Sequence, residues 1–238
     1  MKTVFHKASS RGFATHGWLT THHSFSFASY YDPARMGFGA LRVLNDDVIA
    51  PGSGFGRHPH DNMEIVTIPL SGSLKHEDSM GNSAVIETGE VQVMSAGAGV
   101  EHAEWNASEI DELTLLQIWI LSEKRGVSPR YDQRRFDDTK YHNVFFPVVG
   151  PMGDEEVLGI YQDARISLGR FETEKEGVYR LKSPAHGAYF FIINGEGNIE
   201  SQKVQKRDAL GVWNTKEVRI FPKTELFLLA IEVPMTEV

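Results

Sequence analysis

The chain contains no cysteine. Disulfides, thiolate nucleophiles and cysteine-ligated zinc are excluded together, which leaves His, Asp and Glu as the strong metal ligands. Long apolar runs are also missing, and none approaches the roughly 20 residues that a membrane-crossing helix needs. The opening Met1-Lys2-Thr3-Val4-Phe5-His6-Lys7 has neither an apolar core nor a small-residue cleavage site, so no signal peptide is expected. Positive charge is in deficit: 24 Lys and Arg face 32 Asp and Glu, a net charge of -8. That argues against a direct nucleic-acid surface, because phosphate recognition wants clustered cations. A cytoplasmic protein with no membrane or direct nucleic-acid partner is the expectation. Segments with helical periodicity are few.

Strand signals are abundant. Glu64-Ile65-Val66-Thr67-Ile68-Pro69-Leu70 is apolar and β-branched and stops at Ser71-Gly72. Val91-Gln92-Val93-Met94 alternates, Leu113 to Leu121 is a longer apolar run, and Leu226 to Val233 is another. Tyr189-Phe190-Phe191-Ile192-Ile193 ends at the turn pair Asn194-Gly195. Many short strands with frequent turns predict an all-β sandwich or barrel. A faint internal repeat, Ser71-Gly72 with Glu90 against Asn194-Gly195 with Asp208, predicts two similar halves. The charged stretch Pro129 to Phe136 suits a crossover between them, so domains at 1–135 and 136–238 are expected. Arg134 and Arg135 are expected to pair with acids across that junction.

Two segments carry chemistry: Gly56-Arg57-His58-Pro59-His60 and Glu101-His102-Ala103-Glu104-Trp105-Asn106. In a strand, residues i and i+2 share a face. His58 with His60, and His102 with Glu104, can therefore aim into one interior from two facing strands. Three imidazoles and one carboxylate suit Fe, Mn, Co, Ni, Cu or Zn. The bland alternative makes the histidine pair turn residues beside Pro59 and the other pair a solvated strand. His76, beside Glu77 and Asp78, reads as a surface ion pair in a hairpin. Phe25, Phe27, Tyr30 and Tyr31 read as core aromatics that could instead line a pocket. Gly52 to Gly56 lacks the Lys and helix of a phosphate loop and reads as a tight turn.

The spacing around both segments resembles the two motifs of the cupin superfamily, G-x5-H-x-H-x3-E and G-x5-P-x-G-x2-H-x3-N. The second is imperfect, with Ser95 at the usual proline and His102 two residues late. Those departures resemble the pirin branch, as do Thr15-His16-Gly17-Trp18, Phe25 to Pro33, His76-Glu77-Asp78-Ser79 and Met94-Ser95-Ala96-Gly97. The strong matches cover roughly the first 136 residues. The resemblance implies two cupin (jelly-roll type) β-barrels with few short helices. It implies one metal in the first, most often iron as Fe(II), held by His58, His60, His102 and Glu104. Glu64, the ligand in ordinary cupins, would then hydrogen-bond a ligand imidazole. The second barrel would be a degenerate cupin without metal, with Leu181, Ser183, Ile220 and Pro222 opposite the four ligands. Two functions are implied. One is a dioxygenase that opens a flavonol such as quercetin with O2 and releases CO, Glu104 accepting the proton of the substrate's 3-hydroxyl. The other is a non-catalytic metal-dependent regulator that acts through a protein partner. The room left around the four ligands favours the enzyme on a small phenolic substrate. Another cupin activity, such as an isomerase, is the third possibility, since fold alone does not select among them.

Overall fold

The computed structural model describes residues 1–235, and the chain is built almost wholly of strands. The first half carries β1 (Lys2–His6), β2 (Gly12–Thr15), β3 (Leu19–His23), β4 (Leu41–Ile49), β5 (Gly54–His60) and β6 (Met63–Ser71). It continues with β7 (Ser73–Asp78), β8 (Ser83–Glu87), β9 (Glu90–Ser95), β10 (Val100–Asn106), β11 (Leu113–Leu121) and β12 (Arg130–Arg135). The second half carries β13 (Phe145–Pro151), β14 (Leu158–Ile160), β15 (Arg165–Phe171), β16 (Gly177–Arg180) and β17 (His186–Asn194). It ends with β18 (Glu196–Ile199), β19 (Gln202–Gln205), β20 (Ala209–Trp213), β21 (Glu217–Pro222) and β22 (Leu226–Pro234). Among the described residues the helices are two short 3-10 turns, Ala8–Ser10 and Asp138–Tyr141.

Each half pairs a seven-stranded sheet with a four-stranded one. The orders are β12-β9-β6-β11-β4-β3-β2 with β5-β10-β7-β8, and β1-β20-β17-β22-β15-β13-β14 with β16-β21-β18-β19. The architecture is thus all-β and two-fold repeated, each half a double-sheeted cupin. Gly72 and Gly195 sit at equivalent hairpin turns with φ of 79° and 89°, where a side chain would be strained. The pairing also crosses the halves: β1, at the head of the chain, lies beside β20 in the second half's large sheet. The stretch expected to be a crossover is strand β12, which pairs with β9 at the edge of the first half's large sheet.

The two large sheets pack on each other. Leu44, Val66, Ile118 and Ile120 of the first half form one apolar cluster with Ile166, Phe191, Leu229 and Ile231 of the second. This explains why Leu113 to Leu121 reads as a nearly continuous apolar run. Alternate residues of β11 face the sister half or the interior, so little of the strand reaches water. Arg207 of the second half and Arg11 both hold Asp46 of β4, at 2.9 and 3.1 Å. The Arg207–Asp46 pair is an ionic contact across the halves. Arg135 instead pairs with Glu87 and Glu90 of its own half, because β12 runs along β9 and sets Arg135 opposite Glu90. Arg134 reaches the backbone carbonyl of Glu155 rather than an acid.

The two interiors differ. The second is filled by Phe171, Phe190, Tyr179, Ile192, Leu210 and their neighbours. In the first, apolar packing is split into two small clusters around Leu74 and around Met94. Between them runs a transverse row of polar residues across five strands of the large sheet. His23 lies opposite Asn45, Asn45 opposite Gln117, Gln117 opposite Thr67, and Thr67 opposite Gln92. A row of buried polar groups forgoes packing energy, and here it borders the candidate site.

Candidate metal centre

Strand periodicity sets the geometry. β5 and β10 pair antiparallel with His102 opposite His58, and the register shifts between His102 and Glu104. The bulge changes the local twist without moving either residue off the inner face. Gly54 is required at the start of β5, because a Cβ there would collide with the Glu104 carbonyl. The three imidazoles meet edge-to-face or tilted in a triangle with ring centroids 4.9, 4.4 and 4.9 Å apart. One nitrogen from each of His58, His60 and His102 lies within 4.8 Å of the others. His76, His102 and Glu104 form a second such group. Glu104 therefore joins the triangle through His102, not as a direct member of it.

His76 is thus not a surface residue. It is fully buried, opposite Glu104 on the β7–β10 ladder, and stacked on Tyr131 with centroids 4.8 Å apart. Its Nε2 meets Asp78 Oδ2 at 3.1 Å. Asp78 also accepts from the Asn82 side chain and from two backbone N–H groups. The signal was in the sequence: in Ser73-Leu74-Lys75-His76-Glu77-Asp78, His76 and Asp78 share the phase of Leu74. Burial follows that phase, with Leu74, His76 and Asp78 inside. Gln117, a polar residue inside an apolar run, was missed in the same way. Its Nε2 donates to Glu104 Oε2 at 2.8 Å while its Oε1 accepts from Trp119 at 3.2 Å. Thr67 approaches the other Glu104 oxygen at 3.5 Å.

Glu64 is buried but bonds no imidazole. Its Oε2 accepts from Ser95 at 2.6 Å, so the serine standing at the motif's proline supplies the partner. Of the four aromatics, Phe25 is core, Phe27 lines the cavity described below, and Tyr31 is largely exposed. Tyr30 packs over Gly12 and stacks with His23. Gly52, with φ of 61°, makes the expected turn. In the second half, registering Gly195 on Gly72 and following the ladders corrects the expected counterparts. Tyr179, Val218, Ile220 and Ile199 take the places of His58, His102, Glu104 and His76. Leu181 and Ser183 lie beyond the end of β16. Among the described residues, both candidate metal groups lie in the first half.

The electrostatics suit a cation. Burial pushes His102 down to about 2, helped by the neighbouring His58, His60 and His76. Burial, then His58, pushes His60 down to about 4. Both rings are therefore neutral near pH 7 and keep a lone pair. The Gly56 carbonyl, which can only accept, lies 2.8 Å from His58 Nδ1. That places the proton on Nδ1 and leaves the Nε2 lone pair free as a metal ligand toward the triangle. His102 is 1% exposed, yet neither of its ring nitrogens has a hydrogen-bond partner. Leaving such atoms bare is costly. Donors this close can be bridged by one cation with bonds of about 2.1 Å after small side-chain movements. Glu104 is pushed up by burial and held back by Gln117, His76 and His58. A cation beside it would reverse the burial effect.

The triangle opens on a cavity of about 730 Å³. His58, His60, Glu104 and Gln117 border it, with Trp18, Phe27, Phe55 and Trp119 as aromatic walls. His76 and His102 lie behind this wall. The size and the mostly apolar lining with a few polar groups are those of a small-molecule site.

A two-fold cupin with a His and Glu cluster opening on an aromatic cavity defines the class. The comparisons then give the family. Residues 4–120 match the family model described as Pirin, and residues 147–233 match the one described as Quercetinase C-terminal cupin domain. The chain is 40% identical over 228 residues to the quercetin 2,3-dioxygenase of Escherichia coli K12, covering 96% of this chain and 97% of that one. It is 36% identical over 222 residues to a pirin-like protein of Caulobacter vibrioides, covering 93% and 95%. It superposes with a TM-score of 0.93 and 38% identity on the crystal structure of the bacterial pirin YhhW of E. coli in complex with nickel(II), covering 99% and 100%. The chain belongs to the pirin family.

Proposed function

We propose that this protein is a metal-dependent dioxygenase that opens a flavonol-like ring with O2 and releases CO. In this reading His58, His60, His102 and Glu104 hold one divalent metal, with Fe(II) as the working ion. The nickel held by the E. coli relative and that family's quercetinase name support the reading. The observation that carries it is a three-histidine triangle, in which the buried His102 ring has no hydrogen-bond partner, opening through His58 and His60 on an aromatic cavity of ring-system size. A bound metal supplies Lewis acidity that lowers the pKa of a coordinating hydroxyl. The chain's own groups do the rest. Trp18, Phe27, Phe55 and Trp119 position a planar substrate and exclude water from it. Glu104 borders the cavity and takes the proton of the substrate hydroxyl. Gln117, itself held by Trp119, fixes the carboxylate's orientation. His76 is braced by Asp78 and lies behind Glu104 on the side away from substrate.

The test is metal analysis of the purified protein, followed by O2 uptake and CO detection on quercetin and other phenols after loading with Fe(II). In Glu104→Gln, turnover should fall far more than ligand binding does. Equal losses in both would remove the proton-accepting role. A metal-loaded protein that consumes no O2 with any phenol, and instead retains a protein partner only when loaded, would replace the enzyme with the regulatory reading.

A further inference from the structure

Asp46 and Asp47 are neighbours on β4 and so face opposite ways. Asp46 points to the sister half and is held by Arg207 of that half and by Arg11 of its own. Asp47 points into the first half's interior, is 3% exposed, and borders the same cavity as the histidines. No lysine or arginine pairs with it among the described residues, and its Oδ1 has no hydrogen-bond partner. The side chains around it, Thr21, His23 and Asn45, form a polar patch in an otherwise aromatic wall. His23 and Asn45 bond each other at 2.8 Å, and neither is hydrogen-bonded to Asp47 among the described residues. Buried carboxyls are normally paired or fully hydrogen-bonded. One with an oxygen left bare beside a ligand cavity marks a place where ligand completes the bonding.

Its position limits the ligand. Asn45 is level with Gln117, the residue bonded to Glu104. Asp47 lies one strand over from Gln117 and two residues further along, roughly 8 Å away in the plane of the sheet. A single benzene ring does not bridge that gap, whereas a fused or linked polyphenol does.

We propose that Asp47 is a specificity-determining residue that hydrogen-bonds a second hydroxyl of a polyphenolic substrate, remote from the hydroxyl presented to the histidines. The assignment rests on the flavonol-type reading above and narrows it to substrates with at least two separated hydroxyls. A carboxyl accepts from a phenolic O–H when ionised and can donate when protonated, so recognition does not depend on one charge state. Burial, opposed by the adjacent Thr21 hydroxyl, pushes Asp47 up to about 7, in keeping with a carboxyl that awaits a partner.

The experiment uses the Fe(II)-loaded protein under argon, so that binding is read without turnover. Quenching of tryptophan fluorescence reports the Kd of quercetin and of analogues that keep the 3-hydroxyl but each lack one other hydroxyl. In wild type, loss of one particular hydroxyl should weaken binding roughly 10- to 100-fold. In Asp47→Ala that analogue and quercetin should bind equally well. In Asp47→Asn, which keeps an acceptor oxygen, the discrimination should persist at reduced size, and this variant reads the same comparison if the alanine variant does not fold. Discrimination of wild-type size in either folded variant overturns the assignment and leaves the metal-dependent reading intact. Failure of wild type to bind any flavonol overturns both.

Discussion

The bond between Gln117 and Glu104 allows a quantitative prediction. Glu104 is 2% exposed, and its two oxygens depend on Gln117 at 2.8 Å and Thr67 at 3.5 Å. Gln117→Leu keeps most of the volume and removes the closer donor. A hydrogen bond to a charged acceptor contributes about 1.5–3 kcal/mol. Its loss falls on the ionised form alone, so the proton affinity of Glu104, already pushed up by burial, rises further. Metal binding requires the carboxylate, so proton competition strengthens with it. Affinity for a divalent ion near neutral pH should drop about 10- to 100-fold, the range typical of lost supporting bonds at metal sites. The sign with pH is fixed. The gap between variant and wild type should widen as pH falls and narrow as it rises, because alkali removes the competing proton. Competition against a chromogenic chelator at several pH values measures this, with circular dichroism to show an intact fold. An affinity within about threefold of wild type, or a gap that does not change with pH, would refute the role given to Gln117.

Three further outcomes are expected. Nickel(II) at about a hundredfold excess over its Kd should stabilise the fold by about 2.7 kcal/mol in thermal unfolding; His102→Ala should abolish the gain, and stabilisation that survives it would place the ion elsewhere. Burial beside Tyr189 holds His6 down at about 4. The unfolded chain therefore takes up that proton first as pH falls below the ordinary value of 6.5. Stability is lost progressively from about 6.5 to 4, by about 3 kcal/mol in all; urea unfolding of His6→Asn should show a shallower acid decline than wild type. Arg207→Ala leaves Asp46 with Arg11 alone and breaks the bond to the Ile193 carbonyl. It should cost about 1–3 kcal/mol in chemical denaturation and leave metal affinity unchanged.

What the sequence revealed followed strand periodicity. His58 with His60 and His102 with Glu104 were legible because a period of two sends each pair to one face, whatever the exact register. The apolar runs at Glu64 to Leu70 and at Leu226 to Val233 were legible because both faces of those strands are buried. Where a residue's meaning depended on which strand lies beside it, the chain gave little. Arg135 finds its acids through the β9–β12 pairing, which no local pattern announces. The counterparts of the ligands in the second half were misplaced because the loop lengths between repeated turns differ, and the ladders correct this. His76 was misjudged for another reason: its acidic neighbours outweighed its alternation. Asp47 is a similar case, since its meaning rests on a cavity formed by six separate strands and two loops.

The lodging of β1 in the far sheet bears on how the molecule is made. Lys2 to His6 pair with Ala209 to Trp213, about 200 residues later in synthesis. That strand must wait, unmatched, until residues 209–213 have left the ribosome. Contacts that distant in sequence slow folding, since a long loop must close before they form. Cutting the molecule at its midpoint would strip one fragment of an edge and leave the other with a ribbon that has nothing to zip onto. The repeat looks like two modules on paper, yet its last stitch is sewn with the first thread.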